Sequence, residues 1–544
     1  MPTFTDISKD IVCDFLHNVV LADDRIEFKS EALPSVIISA TRESVAETKT
    51  VPEIKISERA VNVKPILDEF VSKGIPCSFL VLNNTVQPKI YSKNLKKSDA
   101  LILDWQVESD GGNFILQILD SLIGKDKNSL RVILIYTGFP NLKSIIQKIK
   151  DKFSEILFET DPTHGCSIRH GSTLISVYAK TDLSVDPALS NRVVNEKQLV
   201  EALISEFTSI TSGLVSNVAL RSISVIRQNT HRLLSLFNKE LDPAFLAHRG
   251  SLPVVDDASD LLKESILNSI KAILDYNYIE YDCSIIPIKK WINSFSFSSK
   301  DLLLNKQTLK LSKTEIIRWQ KDGFIKMVKD VWSKQFPSIN LDENKLMNLF
   351  KFEIHKFTLN HFLPDGLVNN DFEEKFSVLT HHKSNYANPT YLPKLTLGTI
   401  IQGKLTKHYW LCVQQKCDSV RLNDQPRRFL FLPLLVPKDN GKFNFLIPTD
   451  TSFVKVKVDL NTHSLRTIKF TRNKEGAVYA RKFGKSDNFF FIQYYKERTK
   501  DENFKWILDL KDAHAQRISN SYAAKLSRIG LDESEWLRRW GMEN

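Results

Sequence analysis

Short apolar runs alternate with amphipathic stretches over the first two hundred residues. Asn18-Val-Val-Leu-Ala22, Cys77 to Leu82, Leu101 to Leu103 within A-L-I-L-D-W-Q, Arg131-Val-Ile-Leu-Ile-Tyr136 and Thr173 to Ala179 lack a helical period and are bounded by polar residues. That predicts strands buried on both faces. Between them Val63, Ile66, Leu67, Phe70 and Val71, then Phe114, Ile115, Ile118, Leu119 and Leu122, then Leu142 to Phe153, follow helical spacing, with Gly74 and Gly124 as stops. Alternating strand and helix predict an α/β doubly wound parallel sheet of five strands. His164, Gly165 and Gly171 point to a hairpin before the fifth strand. Residues 29–60, with Pro34, Pro52 and alternating charge, read as an insertion with one short strand at Val36 to Ser39.

From Asn191 to about Thr380 the pattern changes to long amphipathic helices, exemplified by Leu199, Leu203, Phe207 and Ile210 and by Val218, Ile223, Ile226, Leu233 and Leu236. At least four should pack together, with a β-like interruption at Tyr278 to Ile286. Pro364-Asp365-Gly366 and the polar run His381 to Pro389 are boundary candidates. Beyond Leu392 short strands recur at Trp410–Val413, Arg428–Leu432, Phe443–Ile447, Phe453–Val458, Leu465–Phe470 and Phe489–Tyr494, as in a small barrel or rolled sheet. Helices over Ala513–Ile529 and Leu531–Trp540 should follow. The expected domains are 1–190, an α-helical 191–380, and a basic β-rich 381–544.

A chain of 544 residues exceeds what one core usually holds. No apolar run approaches the roughly 20 residues that cross a bilayer, and Asp6, Asp10 and Asp14 leave the start unlike a signal peptide, so the expectation is a cytoplasmic protein without a membrane partner. Six scattered cysteines form no C-x-x-C pair and suit reduced thiols; Cys412 and Cys417 near His408 read as thiols rather than metal ligands. The net charge of +11 is concentrated at the end, where residues 381–544 hold 29 Lys and Arg against 16 Asp and Glu. Such a region attracts nucleic acid or an acidic protein surface, which is a statement about encounter rather than function.

The chemistry lies at the strand ends. Asp23 and Asp24 follow the first strand, Asp104 the third, Thr137 the fourth and Lys180 the fifth. In a doubly wound sheet these ends share one edge, where ligands bind. Three carboxylates there suit Mg²⁺, with Asp24 and Asp104 as direct ligands, Asp23 through water and the Gln106 carbonyl completing the set. Thr137 and Lys180 can then contact phosphoryl oxygens on either side, and the chemistry is phosphoryl transfer to a carboxylate.

V-V-L-A-D-D, L-I-L-D-W-Q, L-I-Y-T-G and V-Y-A-K, in this order, resemble the receiver domain of two-component signalling over residues 18 to about 205. The resemblance implies a flavodoxin-like fold, Asp104 as phospho-acceptor, Mg²⁺ as cofactor and a sensor histidine kinase as phosphodonor. Thr181 stands where the family places a proline that sets a cis peptide. Val177 replaces the switch aromatic three residues before the lysine, and Tyr178 points to the other face. Tyr409 to Leu422 resembles the C-terminal region of large receiver proteins in Detocs-type bacterial anti-phage two-component defence. That implies a phosphate sink without an effector enzyme, with a second receiver-bearing effector as a further partner.

No Walker-type glycine loop, G-x-S-x-G or H-E-x-x-H occurs, so no separate enzyme is expected, and Gly111-Gly112 reads as a helix entry. Asp418, Ser419 and Arg421 read as a turn network, and His231 as an exposed helix histidine rather than a second phospho-acceptor. The alternative function is a phosphorylation-controlled nucleic-acid-binding regulator. Arg427, Arg428, Arg472, Lys474, Arg481 and Lys482 interleave there with Phe429, Phe431, Tyr479 and Phe483, although no helix-turn-helix or RNA-recognition signature accompanies them.

Overall fold

A computed structural model describes residues 2–28, 60–123, 129–181, 185–252, 255–304, 306–342, 344, 346–348, 358–368, 371–383, 391–437, 442–449, 452–482, 488–494 and 503–527. The expected strand at 36–39, most of the insertion and the expected helix at 531–540 lie outside them. The chain divides into two compact units, Met1–Asp365 and Gly366–Asn544. The division falls at Pro364-Asp365-Gly366, and the helices that follow residue 190 share a unit with the sheet that precedes it.

In the first unit the elements are α1 (Phe4–Phe15), β1 (Val19–Asp23), β2 (Ile26–Glu27), β3 (Val61–Asn62), α2 (Val63–Ser72), β4 (Cys77–Val81), α3 (Pro88–Leu95), β5 (Ala100–Leu103), α4 (Asn113–Ile123), β6 (Arg131–Thr137), α5 (Leu142–Lys152), β7 (Glu159–Thr160), β8 (Ser167–His170), β9 (Thr173–Ala179) and α6 (Glu196–Thr211). The sheet runs β4-β1-β5-β6-β9-β8-β7. Its first five strands are parallel, whereas β8 and β7 add antiparallel, so the five expected strands become seven through the hairpin.

At β1, β5, β6 and β9 the sheet is covered on both faces, which is why these strands read as unbroken apolar runs, whereas β4, expected to be buried on both faces, is an edge strand only partly buried. Leu101, Leu103, Ile133, Ile135 and Val177 pack on one side with Leu95 of α3, Ile115 and Leu119 of α4 and Ile145 and Ile149 of α5. Leu21, Ile102, Leu134 and Tyr178 pack on the other with Ile11 of α1, Ile66 and Phe70 of α2 and Leu199, Leu203 and Phe207 of α6. Each such side chain contributes about 1.5–3 kcal/mol on burial. The periodic run of α1 passes into β1 with only Leu16, His17 and Asn18 between them, which hides the helix from a pattern reading. Its start is nevertheless fixed by a capping box between Thr3 and Asp6.

The helical stretch contains α7 (Leu214–Gln228), α8 (Thr230–Leu236), α9 (Asp242–Ser251), α10 (Ala258–Tyr276), α11 (Ile285–Asn293), α12 (Lys313–Asp322) and α13 (Phe324–Gln335). Two expectations fail here. Tyr278–Ile286 holds a 3-10 turn and the start of α11 instead of β structure, while an antiparallel hairpin, β10 (Lys300–Leu304) with β11 (Gln307–Leu311), stands in the region read as helical. The turn uses Lys306 at φ 63°, where glycine would have signalled it.

The second unit is mainly one antiparallel sheet: β12 (Thr399–Gly403), β13 (Tyr409–Cys412), β14 (Arg427–Leu435), β15 (Phe445–Pro448), β16 (Phe453–Val458), β17 (Arg466–Phe470), β18 (Arg481–Lys482), β19 (Phe489–Ile492) and β20 (Asn503–Asp509). The order is β15-β16-β14-β13-β12-β20-β19-β18, with β17 paired to β14. β12, β18 and β20 were not expected, although β12 pairs with β20 from Thr399 to Gly403 across an irregularity at Ile400/Ile401. The helix Asp512–Leu526 packs against the sheet through Ala515, Ile518 and Tyr522. It comes so close that a Cβ on Gly398, at φ 89°, would lie 3.0 Å from that of Ala515.

Candidate active site at the carboxyl edge of the parallel sheet

β1, β5, β6 and β9 are adjacent and in register, Ala22 with Leu103, Leu103 with Ile135, and Thr137 with Ala179. The residues that follow them therefore emerge along one edge. Asp23, Asp24 and Asp104 converge there, with a carboxylate oxygen of each within 4.8 Å of the others. Lys180 reaches in from β9, its Nζ 3.4 Å from Asp23 Oδ2 and 3.9 Å from Asp104 Oδ1. It does so with no cis peptide among the described residues. The Lys180 N–H also donates to the Thr137 carbonyl at 3.0 Å, which ties the two strand ends together.

Each carboxylate is held by backbone. The Arg25 N–H donates to Asp23 Oδ1 at 2.8 Å, the Trp105 N–H to Asp104 Oδ1 at 2.9 Å and the Glu108 N–H to Asp24 Oδ2 at 2.6 Å. The Arg25 guanidinium lies 3.8 Å from Asp24. Burial raises the Asp104 carboxyl to about 7; Lys180 opposes that shift, and Asp23 and Asp24 add to it. Asp23 is likewise raised by burial against Lys180. The pocket is thus a buried set of acids short of positive charge. That donor set fits a hard divalent cation, which Asp23, Asp24 and Asp104 would hold.

Thr137 is fully buried, and its Oγ1 accepts the Phe139 N–H at 3.0 Å, leaving its own proton to donate. Gln106 lies half-buried in the loop after Asp104. Val177 is buried in the apolar layer beneath α4 and α5. Tyr178 faces the opposite layer, where its hydroxyl donates to Glu206 at 2.8 Å and Arg192 lies 4.9 Å over its ring.

The loop that carries Asp104 has an anchor that the motif does not reveal. Trp105 is 1% exposed, and Gly112 at φ 93° passes so close that a Cβ there would lie 2.2 Å from the indole. Glu108 and Ser109 also have positive φ, so the loop is sharply folded over the indole. Asp110 accepts the Gly112 and Phe114 N–H groups and starts α4, so Gly111-Gly112 is a helix entry.

Among the described residues the remaining candidates contribute to no further cluster of metal-ligating side chains. Asp418 accepts from Gln414, and Ser419 donates to the Gln415 carbonyl, forming a local turn network. Cys412 is buried and Cys417 exposed, and His231 is exposed on α8. No helix among the described residues is long and apolar enough to cross a membrane.

No curated protein and no solved structure matches the chain. Residues 15–185, which span β1 to β9 and the whole acidic edge, match the family model of the response receiver domain. Over those residues, well under half of the chain, the protein is therefore similar to response receiver domains.

Proposed function

We propose that Asp104 accepts a phosphoryl group from a sensor histidine kinase in a Mg²⁺-dependent reaction. The observation that carries the reading is the convergence of Asp23, Asp24 and Asp104 within 4.8 Å, with Lys180 beside two of them. A cation bound by these acids supplies the positive charge that lets a phosphate approach them. With Oδ1 engaged by the Trp105 N–H, Asp104 Oδ2 attacks phosphorus, an O–P bond forms and the P–N bond to the donor histidine breaks. The electron pair leaves with the imidazole nitrogen, which takes up a proton. Lys180 and the Thr137 hydroxyl then meet charge on the phosphoryl oxygens.

The finer reading is a phosphate sink in the cytoplasm of a bacterium, within an anti-phage two-component system that also serves a second receiver-bearing effector. It adds no catalytic step beyond phosphate capture. Support comes from Val177, which gives bound phosphate little differential contact between two states, and from Tyr178, which Glu206 and Arg192 hold on the far side of the sheet. In a reconstituted mixture of kinase and both receivers, Asp104→Asn should raise phosphate on the second receiver. An unchanged partition would contradict the sink.

A further inference from the structure

Helices α8 to α10 have almost no core. Among the described residues from Asn229 to Tyr281 only Ala258 is buried. The segment is nevertheless rich in leucine, and Leu234, Leu236, Leu246, Leu261, Ile266 and Leu267 are each between 41% and 63% exposed. The N-terminal half of α10 presents Leu261, Leu262, Ile266 and Leu267 to solvent, while Ile270, Ile273 and Leu274 further along are half-buried. Helices of 7 and 10 residues, such as α8 and α9, are marginal in water unless an apolar face is packed. An apolar patch of this kind marks an interaction surface.

We propose that this helical arm is the interface of a homodimer, its occupant being the same arm of a second copy. Charge argues against a polyanion, since residues 229–281 hold 5 Lys and Arg against 8 Asp and Glu, with the signs interspersed. Nucleic acid and anionic lipid both need a cationic surface. Permanence argues against a transient partner: an arm without a core needs cover from the moment it folds, and another copy is always at hand. Size agrees as well, because the dozen or so exposed apolar side chains can supply the roughly 800 Å² per partner of a standard interface. Two antiparallel arms related by a two-fold axis would place leucine against leucine across the three helices of each copy.

Sedimentation of the full chain across micromolar concentrations is the test. A species of twice 62.4 kDa is expected. The double variant Leu262→Glu/Leu267→Glu should sediment as a monomer yet retain phosphorylation on Asp104, whereas Val81→Glu, at an exposed position on β4, should remain dimeric. Should the double variant aggregate, hydrogen exchange of the wild type decides, since protection of 229–276 should rise at least tenfold with dimer formation. A monomeric wild type, a double variant that stays dimeric, or concentration-independent protection would each overturn the proposal.

Discussion

Asp104 stands in a position where its own negative charge is costly to the fold. Its carboxyl is buried beside Asp23 and Asp24, and its pKa is raised to about 7 from 3.8. An acid with a raised folded pKa favours the fold most when protonated, and that stability is lost as pH rises from its unfolded value through about 7. At pH 8 and without divalent cation, Asp104→Asn removes a charge that the fold disfavours. It should raise unfolding stability by about 1–3 kcal/mol in a urea titration. Added Mg²⁺ should stabilise the wild type and narrow this gap. A variant less stable than the wild type without cation would show that the acidic edge is not strained by its own charge.

The strand ends were legible because a fully buried parallel strand announces itself as an apolar run, and the polar residue that ends it then has a known place. The five edge residues could be read in this way. Trp105 and Gly112 could not be paired, because their contact depends on a loop path set by Glu108 and Ser109 at positive φ. The hairpin of β10 and β11 was lost for want of a turn glycine, and β20 because Asn503 to Asp509 mixes Lys505 and Trp506 into its alternation. The limit expected at residue 190 leaves outside it two helices that pack with the first domain. α6 carries Leu199, Leu203 and Phe207 into the layer beneath the sheet, and α7 is fastened to the sheet and α1 through Arg227, which pairs with Asp99 at 2.8 Å and lies over Phe15. A chain ending at residue 190 should therefore expose that layer and aggregate, whereas one ending at residue 228 should remain monodisperse by light scattering. Equal behaviour of the two would mean that α6 and α7 are dispensable to the sheet.

At the scale of the molecule the two units differ in what threatens them. The second buries His382 and His514, and desolvation lowers both to about 4 from 6.5. Their Nε2 atoms are buried without a hydrogen-bond partner among the described residues, and the His514 ring packs at a tilt against that of His381 with centroids 4.2 Å apart. Below pH 6.5 the unfolded chain takes up protons that the fold refuses, so stability should fall between pH 6.5 and about 4. The loss is on the order of 1–3 kcal/mol per histidine. The raised carboxyl of buried Asp509 offsets part of this, since it gains a proton more readily folded than unfolded. His382→Gln should flatten the dependence of Tm on pH for the second unit's transition, and an unaltered slope would remove this histidine from the explanation. Mass analysis of the intact 544-residue chain after treatment with a small phosphodonor bears most directly on what the receiver edge does. One phosphoryl group per chain is expected, formed only with Mg²⁺, released by base or hydroxylamine as an acyl phosphate is, and absent from Asp104→Asn. Undiminished labelling of that variant, or labelling of the wild type without divalent cation, would contradict the assignment of Asp104 as phospho-acceptor.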